Sequence, residues 1–298
     1  MRYDIVSEYQ FDTLELYPTN HCQLKCPSCY LNGCSREWSD EQAQRILNSN
    51  IFRRVSKSIN LSGGEPTLWE PLLDFLPVIR EQNKNVMMSV TTNALRLAKD
   101  ELFFERFIKV CSDNSIDVNV SWHDENDALV PMYILHQEKI LKDIYVSPKS
   151  AKELSSMEEM FNNFQREHKS THWMPLIVGE KKKNTGHKIL DFLKHREHVF
   201  GRTRVVNERR QDNVFLLQNS LDGKFSYKDC NCKCGRNGVI FTNVRLYHCL
   251  SQAIKMHNSI SLTNEESHDW IKCSMDRCYG YDFELKNSNF IINTPTNN

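Results

Sequence analysis

Short apolar runs alternate with helical stripes over the first two-thirds of this chain, and the pattern stops near residue 200. The apolar runs fall at Thr13–Tyr17, Lys57–Leu61, Asn85–Thr91, Ile116–Ser121, Asp143–Ser147 and Trp173–Val178. Each has the length of a strand and is bounded by polar or turn-forming residues. Between them, Ser39 to Asn48 opens with Ser39 at the N-cap position and Gln42 three residues later, the two halves of a capping box. Pro71 to Gln82 sets Leu72, Leu73, Leu76 and Ile79 on one stripe, with Pro77 inside it as a candidate kink. Further helices are expected over Asp100–Cys111, Ser150–His168 and Thr185–His195, with a short one over Pro131–Ile140. Met157, Met160, Phe161 and Phe164 share a helical stripe and read as core packing.

Repeated strand–helix units predict an α/β fold with a parallel sheet, arranged as a partial (β/α)6 barrel of the TIM type. Working residues in such folds gather where strands end and loops begin, at the C-terminal edge of the sheet. The expected organisation is a barrel over residues 1–201, a polar bridge over 202–229, a small Cys-rich extension over 230–286 and a loose tail over 287–298. Within the extension, Gly238–Phe241 and Arg245–Cys249 read as a hairpin turning at Thr242–Asn243.

Composition narrows the setting. The 298 residues are 40% hydrophobic, enough for a full core, and 38 basic residues balance 38 acidic ones. Zero net charge gives no argument for a nucleic-acid or membrane partner, and Lys181–Lys183 and Arg202–Arg210 read as solvated basic runs. The sequence shows neither an export signal nor an apolar stretch of about 18 residues, so a cytoplasmic protein is expected. The eleven cysteines are clustered: Cys22, Cys26 and Cys29 at one end, and Cys230, Cys232, Cys234, Cys249, Cys273 and Cys278 in the last quarter. Only Cys34 and Cys111 stand apart. In a reducing compartment, metal ligation accounts for this clustering better than disulfides do.

Cys22, Cys26 and Cys29 follow the first expected strand and can hold three corners of one metal centre, leaving a fourth open. Gly63-Gly64-Glu65-Pro66 follows the second strand, Thr92-Asn93 the third, and Ser121 ends the fourth. In this order and spacing the chain resembles the radical S-adenosylmethionine (radical SAM) superfamily. The resemblance implies a 4Fe–4S cluster on the three cysteines, with SAM at its open iron. One electron would cleave SAM to methionine and a 5′-deoxyadenosyl radical, which takes hydrogen from a substrate.

Gly63 and Gly64 would let the backbone approach the ligand, with Pro66 completing that SAM-seating turn. The family pattern has Glu65 seat the methionine amino group, and Asn93 and Ser121 are candidates for ribose or carboxylate contacts. Where many members carry an aromatic residue before the third cysteine, this chain has Ser28, and Tyr30 would take over the packing near adenine. His123, following Ser121 and Trp122, is a candidate acid–base or substrate contact. Structural alternatives stand beside each: a zinc knuckle for the cysteines, a tight turn for the glycines, strand-end caps for Asn93 and Ser121, and a hydrogen-bonded structural role for His123.

The later cysteines resemble the SPASM or shorter twitch extension of radical SAM enzymes. That implies one auxiliary 4Fe–4S cluster, with Cys234, Cys249, Cys273 and Cys278 as first-choice ligands and Cys230 and Cys232 in surplus; zinc suits four thiolates equally well. A glycine usual five residues before the hairpin-closing cysteine is Val244 here. The implied electron donor is a flavodoxin or ferredoxin, and the implied substrate is foremost a peptide or protein. With 21 residues ahead of Cys22, no leader-peptide-binding domain is expected before the barrel, which tempers that reading. A sugar, nucleotide or other small molecule, or an RNA base, is the alternative. From another class, the chain would be a non-enzymatic metal or redox sensor, which needs no Gly63-Gly64-Glu65 turn.

Overall fold

Among the described residues, eight strands lie side by side in one sheet. The computed structural model describes residues 10–24, 31, 36–122, 128–146, 171–173, 231–232, 237–247, 271–272 and 285–286. In chain order the elements are β1 (Phe11–Leu16), α1 (Asp40–Leu47), β2 (Val55–Leu61), α2 (Leu72–Gln82), β3 (Met87–Thr92) and α3 (Leu95–Lys99). They continue with α4 (Glu101–Asp113), β4 (Asp117–Trp122), α5 (Leu129–Gln137), β5 (Leu141–Val146) and β6 (Thr171–Trp173). The later strands are β7 (Asn231–Cys232), β8 (Asn237–Ile240), β9 (Leu246–Tyr247), β10 (Ile271–Lys272) and β11 (Leu285–Lys286).

The large sheet runs β6-β5-β4-β3-β2-β1-β8-β9. Every neighbouring pair from β6 to β8 is parallel, and only β9 returns antiparallel. This is the α/β architecture with strand–helix alternation expected of an open, partial TIM-type barrel. A parallel sheet covered on both faces shows continuous apolar strands. Here Ile59 and Leu61 of β2 are buried in the core, while Asn60 between them accepts from Ser89 Oγ at 2.9 Å and Thr91 Oγ1 at 3.1 Å. Asn119 of β4 extends this row, donating from Nδ2 to Thr91 Oγ1 at 3.4 Å. Asn60, Ser89, Thr91 and Asn119 thus form a hydrogen-bonded polar row across β2, β3 and β4.

The helices match their local chemistry. Ser39 Oγ accepts from Gln42 N–H at 3.3 Å and Gln42 Oε1 from Ser39 N–H at 2.9 Å, so the capping box of α1 is closed. α2 runs through Pro77 without a break, losing one ladder bond, and buries Leu72, Leu73, Phe75, Leu76 and Ile79. Phe75 meets Trp69 at 5.0 Å and Trp38 at 6.0 Å in edge-to-face contacts, tying α2 to the loops above the sheet. α5 begins at Leu129, ahead of the expected Pro131. Pro131 therefore sits within the first turn, where an N–H has no helical partner to lose. The five-residue α3 was not expected, because one turn is too short for a periodic stripe to register.

The C-terminal hairpin is part of the large sheet. β8 pairs in parallel with β1, Thr13 opposite Asn237 through Leu16 opposite Ile240, and Thr13 Oγ1 donates to Asn237 Oδ1 at 2.8 Å. The turn is longer than Thr242–Asn243: Phe241 N–H donates to Arg245 O at 3.2 Å and Val244 N–H to Phe241 O at 2.8 Å. Val244 takes φ 58, the left-handed conformation in which a β-branched residue is rare, at the position where the resemblance anticipates glycine. A separate three-stranded sheet orders β10-β7-β11, all antiparallel. The expected helices Ser150–His168 and Thr185–His195, the strand beyond Trp173, the bridge 202–229 and the tail 287–298 lie outside the described residues.

Candidate functional site

β1 delivers the chain to the C-terminal edge of the sheet, and residues 18–21 are held there from both sides. On one side Asn20 N–H donates to Arg36 O at 2.8 Å and Trp38 N–H to Pro18 O at 2.7 Å. On the other, Gly64 N–H donates to Thr19 O at 2.8 Å and Glu65 N–H to His21 O at 2.7 Å. The stem leading to Cys22 is therefore the middle of three extended segments.

The glycines are explained by this packing. A Cβ on Gly63, whose φ is +136, would lie 2.4 Å from Thr19 O; a Cβ on Gly64 would lie 2.3 Å from His21 O and 2.5 Å from Asn20 C. Close backbone approach is indeed what the two glycines permit, but in the described residues the neighbour is the cysteine-bearing stem.

Glu65 is buried, at 1% exposure, and gathers the loops after β2 and β3. Its Oε1 accepts from Thr67 N–H (3.1 Å), Thr67 Oγ1 (2.7 Å) and Thr92 Oγ1 (2.6 Å), and its Oε2 from Asn93 N–H (2.6 Å). Burial pushes the carboxyl above its ordinary pKa, while these four donors pull the other way. Oε1 takes three of the four donors and Oε2 only one, so contact with a ligand ammonium would have to come through Oε2. Pro66 opens a single 3₁₀ turn, Pro66–Leu68, capped by Glu65.

Asn93 follows β3, at 6% exposure. Its Oδ1 accepts from Leu95 N–H at 3.0 Å, at the start of α3, and its Nδ2 donates to Cys22 Sγ at 3.6 Å. Cys22 Sγ also accepts from Leu24 N–H at 3.4 Å. Ser121 is half-buried near the end of β4, in register with Tyr145 of β5. The structure thus brings Cys22, Gly63, Gly64, Glu65, Pro66 and Asn93 together at one sheet edge, with Ser121 on the same edge a strand further along. Cys26, Cys29, Tyr30, His123, Cys234, Cys249, Cys273 and Cys278 lie outside the described residues, as does Cys230, whereas Cys232 belongs to β7.

Sequence reasoning passed over Thr67, Gln23 and Asn20. Thr67 had a detectable signal, a hydroxyl two residues after Glu65 at the start of a turn. Asn20 links the site to the hairpin, donating from Nδ2 to Thr242 Oγ1 at 3.3 Å, while its buried Oδ1 has no hydrogen-bond partner among the described residues. Trp38 makes a second link, its Nε1 donating to Phe241 O at 2.9 Å.

Residues 16–142 match the family model of the radical SAM superfamily. Among curated proteins, a GTP 3′,8-cyclase of Edwardsiella ictaluri is 32% identical over 98 residues, covering 30% of this chain and 29% of the relative. That of Paenarthrobacter nicotinovorans is 30% identical over 93 residues, covering 29% of this chain and 26% of the relative. The chain thus spans less than a third of the length of these curated relatives. Among solved structures, native anSMEcpe with bound AdoMet and a peptide is similar at 19% identity, 80% coverage of this chain, 73% of that one, and a TM-score of 0.49. BtrN in complex with AdoMet and 2-DOIA gives 10% identity, 80% and 73% coverage, and a TM-score of 0.41.

The family that this model describes carries a 4Fe–4S cluster and SAM. The described thiol fits: Cys22 Sγ sits at the sheet edge as an acceptor of two N–H donors, the environment of a ligating thiolate. Among the described residues, no helix is long and apolar enough to cross a membrane.

Proposed function

We propose that the chain is a radical SAM enzyme that takes a hydrogen atom from its substrate. Cys22, Cys26 and Cys29 would hold the cluster. The chemistry supplied there, once it is bound and reduced, is one electron for dividing SAM into methionine and a 5′-deoxyadenosyl fragment that abstracts hydrogen. The chain's own part is orientation. The Gly63-Gly64 turn fixes the stem of Cys22, and Glu65 locks the β2 and β3 loops, so first ligand and SAM-seating turn move as one body. Ser121 would make a ribose or carboxylate contact, and Tyr30 and His123 would serve adenine packing and substrate contact. The observation that carries the reading is the convergence of Cys22, Gly63-Gly64-Glu65 and Asn93 on one edge of a parallel sheet.

Cys234, Cys249, Cys273 and Cys278 would bind an auxiliary 4Fe–4S cluster, with a flavodoxin or ferredoxin as reductant. The cysteine pattern of residues 230–286 favours a peptide or protein substrate. A small-molecule substrate is the second reading, favoured by the similarity of 98 residues of the chain to a GTP 3′,8-cyclase. The test is anaerobic reconstitution with iron, sulfide, dithionite and SAM. Formation of 5′-deoxyadenosine is expected, abolished by Cys26→Ala while the C-terminal metal stays. A protein yielding neither 5′-deoxyadenosine nor an iron–sulfur absorption band is not this enzyme.

A further inference from the structure

Asn93 supports a step beyond SAM cleavage, resting on the reading of Cys22 as a cluster ligand. Its amide orientation is set by its partners. Leu95 N–H at 3.0 Å and Gln23 Nε2 at 3.2 Å both donate to one side-chain atom, which must be the oxygen. The other atom, Nδ2, is then an N–H₂ group, and it lies 3.6 Å from Cys22 Sγ. The amide cannot turn over without setting donors against donors. The backbone of Asn93 is fixed as well, since its N–H donates to the buried Glu65 Oε2 at 2.6 Å. The result is a continuous line from the buried Glu65 through the buried Asn93 to the half-buried first thiol of the triplet.

We infer that Asn93 is a positioning residue for the first cluster thiolate: its amide N–H fixes the direction of the Cys22 sulfur and raises the reduction potential of the cluster held there. A donor aimed at a ligating sulfur withdraws negative charge and favours the reduced, more negative state. Glu65 acts one bond further out, through Asn93 N–H.

Two variants separate this role from helix capping. Asn93→Ser keeps a side-chain oxygen able to cap Leu95 N–H but is too short to reach the sulfur. Asn93→Asp keeps both acceptor bonds and turns an anionic oxygen toward the sulfur. Wild type and variants are reconstituted anaerobically as the full chain, assayed for iron, and titrated against potential by electron paramagnetic resonance. The N-terminal cluster is identified as the signal that changes on adding SAM. Both variants are expected to titrate at more negative potential, Asn93→Asp the further. The expected shift equals roughly a three- to tenfold fall in the reduced-to-oxidised ratio at fixed poise, tenfold being about 59 mV for a one-electron couple. Loss of N-terminal iron from either variant at an unchanged melting temperature also supports the inference. Wild-type potentials in both variants at full iron content overturn it. A wild-type protein that binds no 4Fe–4S cluster overturns it together with the functional reading beneath it.

Discussion

Replacing Glu65 by alanine should destabilise the protein even when no metal or SAM is bound. In wild type the carboxylate accepts from two backbone N–H groups, of Thr67 and Asn93, and from two threonine hydroxyls. The hydroxyls can rotate toward other partners; the backbone groups cannot. Two buried N–H groups left without acceptors cost about 2–6 kcal/mol together. The same change removes a desolvated carboxylate, the burial of which holds its pKa upward, and this relief offsets part of the loss. The net expectation is therefore about 2–4 kcal/mol, a large share of the ~5–15 kcal/mol typical of a folded domain.

Guanidinium unfolding of metal-free protein, followed by the fluorescence of the buried Trp38 and Trp69, measures it. With an m-value of about 4 kcal/mol/M, the midpoint should fall by roughly 0.5–1 M. Glu65→Gln keeps the three bonds to Oε1 but sets an N–H₂ against Asn93 N–H, and should cost about 1–3 kcal/mol. Unchanged midpoints in both variants would refute the view that Glu65 clasps the loops, and would return it to a purely ligand-binding role.

Gly64→Ala places a methyl 2.3 Å from His21 O, so the stem must shift. A cost of about 1–3 kcal/mol is expected, with loss of iron from the cluster proposed at Cys22, Cys26 and Cys29. Full iron there would show that the stem tolerates the change. Trp38→Phe removes the indole donor from Phe241 O and should cost about 1–3 kcal/mol. Hydrogen exchange at residues 241–245 should quicken; unaltered protection there would mean that Trp38 does not anchor the hairpin.

Much of this site was legible because its parts are local. A cysteine triplet, a glycine pair and a strand-end asparagine each announce themselves within a few residues, and strand–helix alternation places them on one edge. What was hidden is the relation between the parts. Nothing in a linear reading says that Gly64 abuts His21, since a glycine's vacancy shows that something comes close without naming it. Asn93 was weighed as either a cap or a ligand contact; Oδ1 serves the first purpose and Nδ2 reaches a cysteine 71 residues away. The hairpin was legible as a hairpin, but its lateral pairing with β1 depends on backbone groups that every residue carries alike.

That lateral pairing has a consequence for how the protein is made. Thr13 and Asn237, neighbours across β1 and β8, are 224 residues apart in sequence. At roughly 5–20 residues per second, translation leaves β1 without its second neighbour for on the order of 10–45 s. During that interval one side of the first strand presents unpaired N–H and C=O groups, an invitation to wrong partners. The Cys22 stem also lacks the Thr242 contact that Asn20 later makes. Cluster insertion before residues 237–247 emerge would act on an unfinished edge. The order of assembly is therefore written into the topology: the last quarter of the chain completes the cradle of its first cysteine.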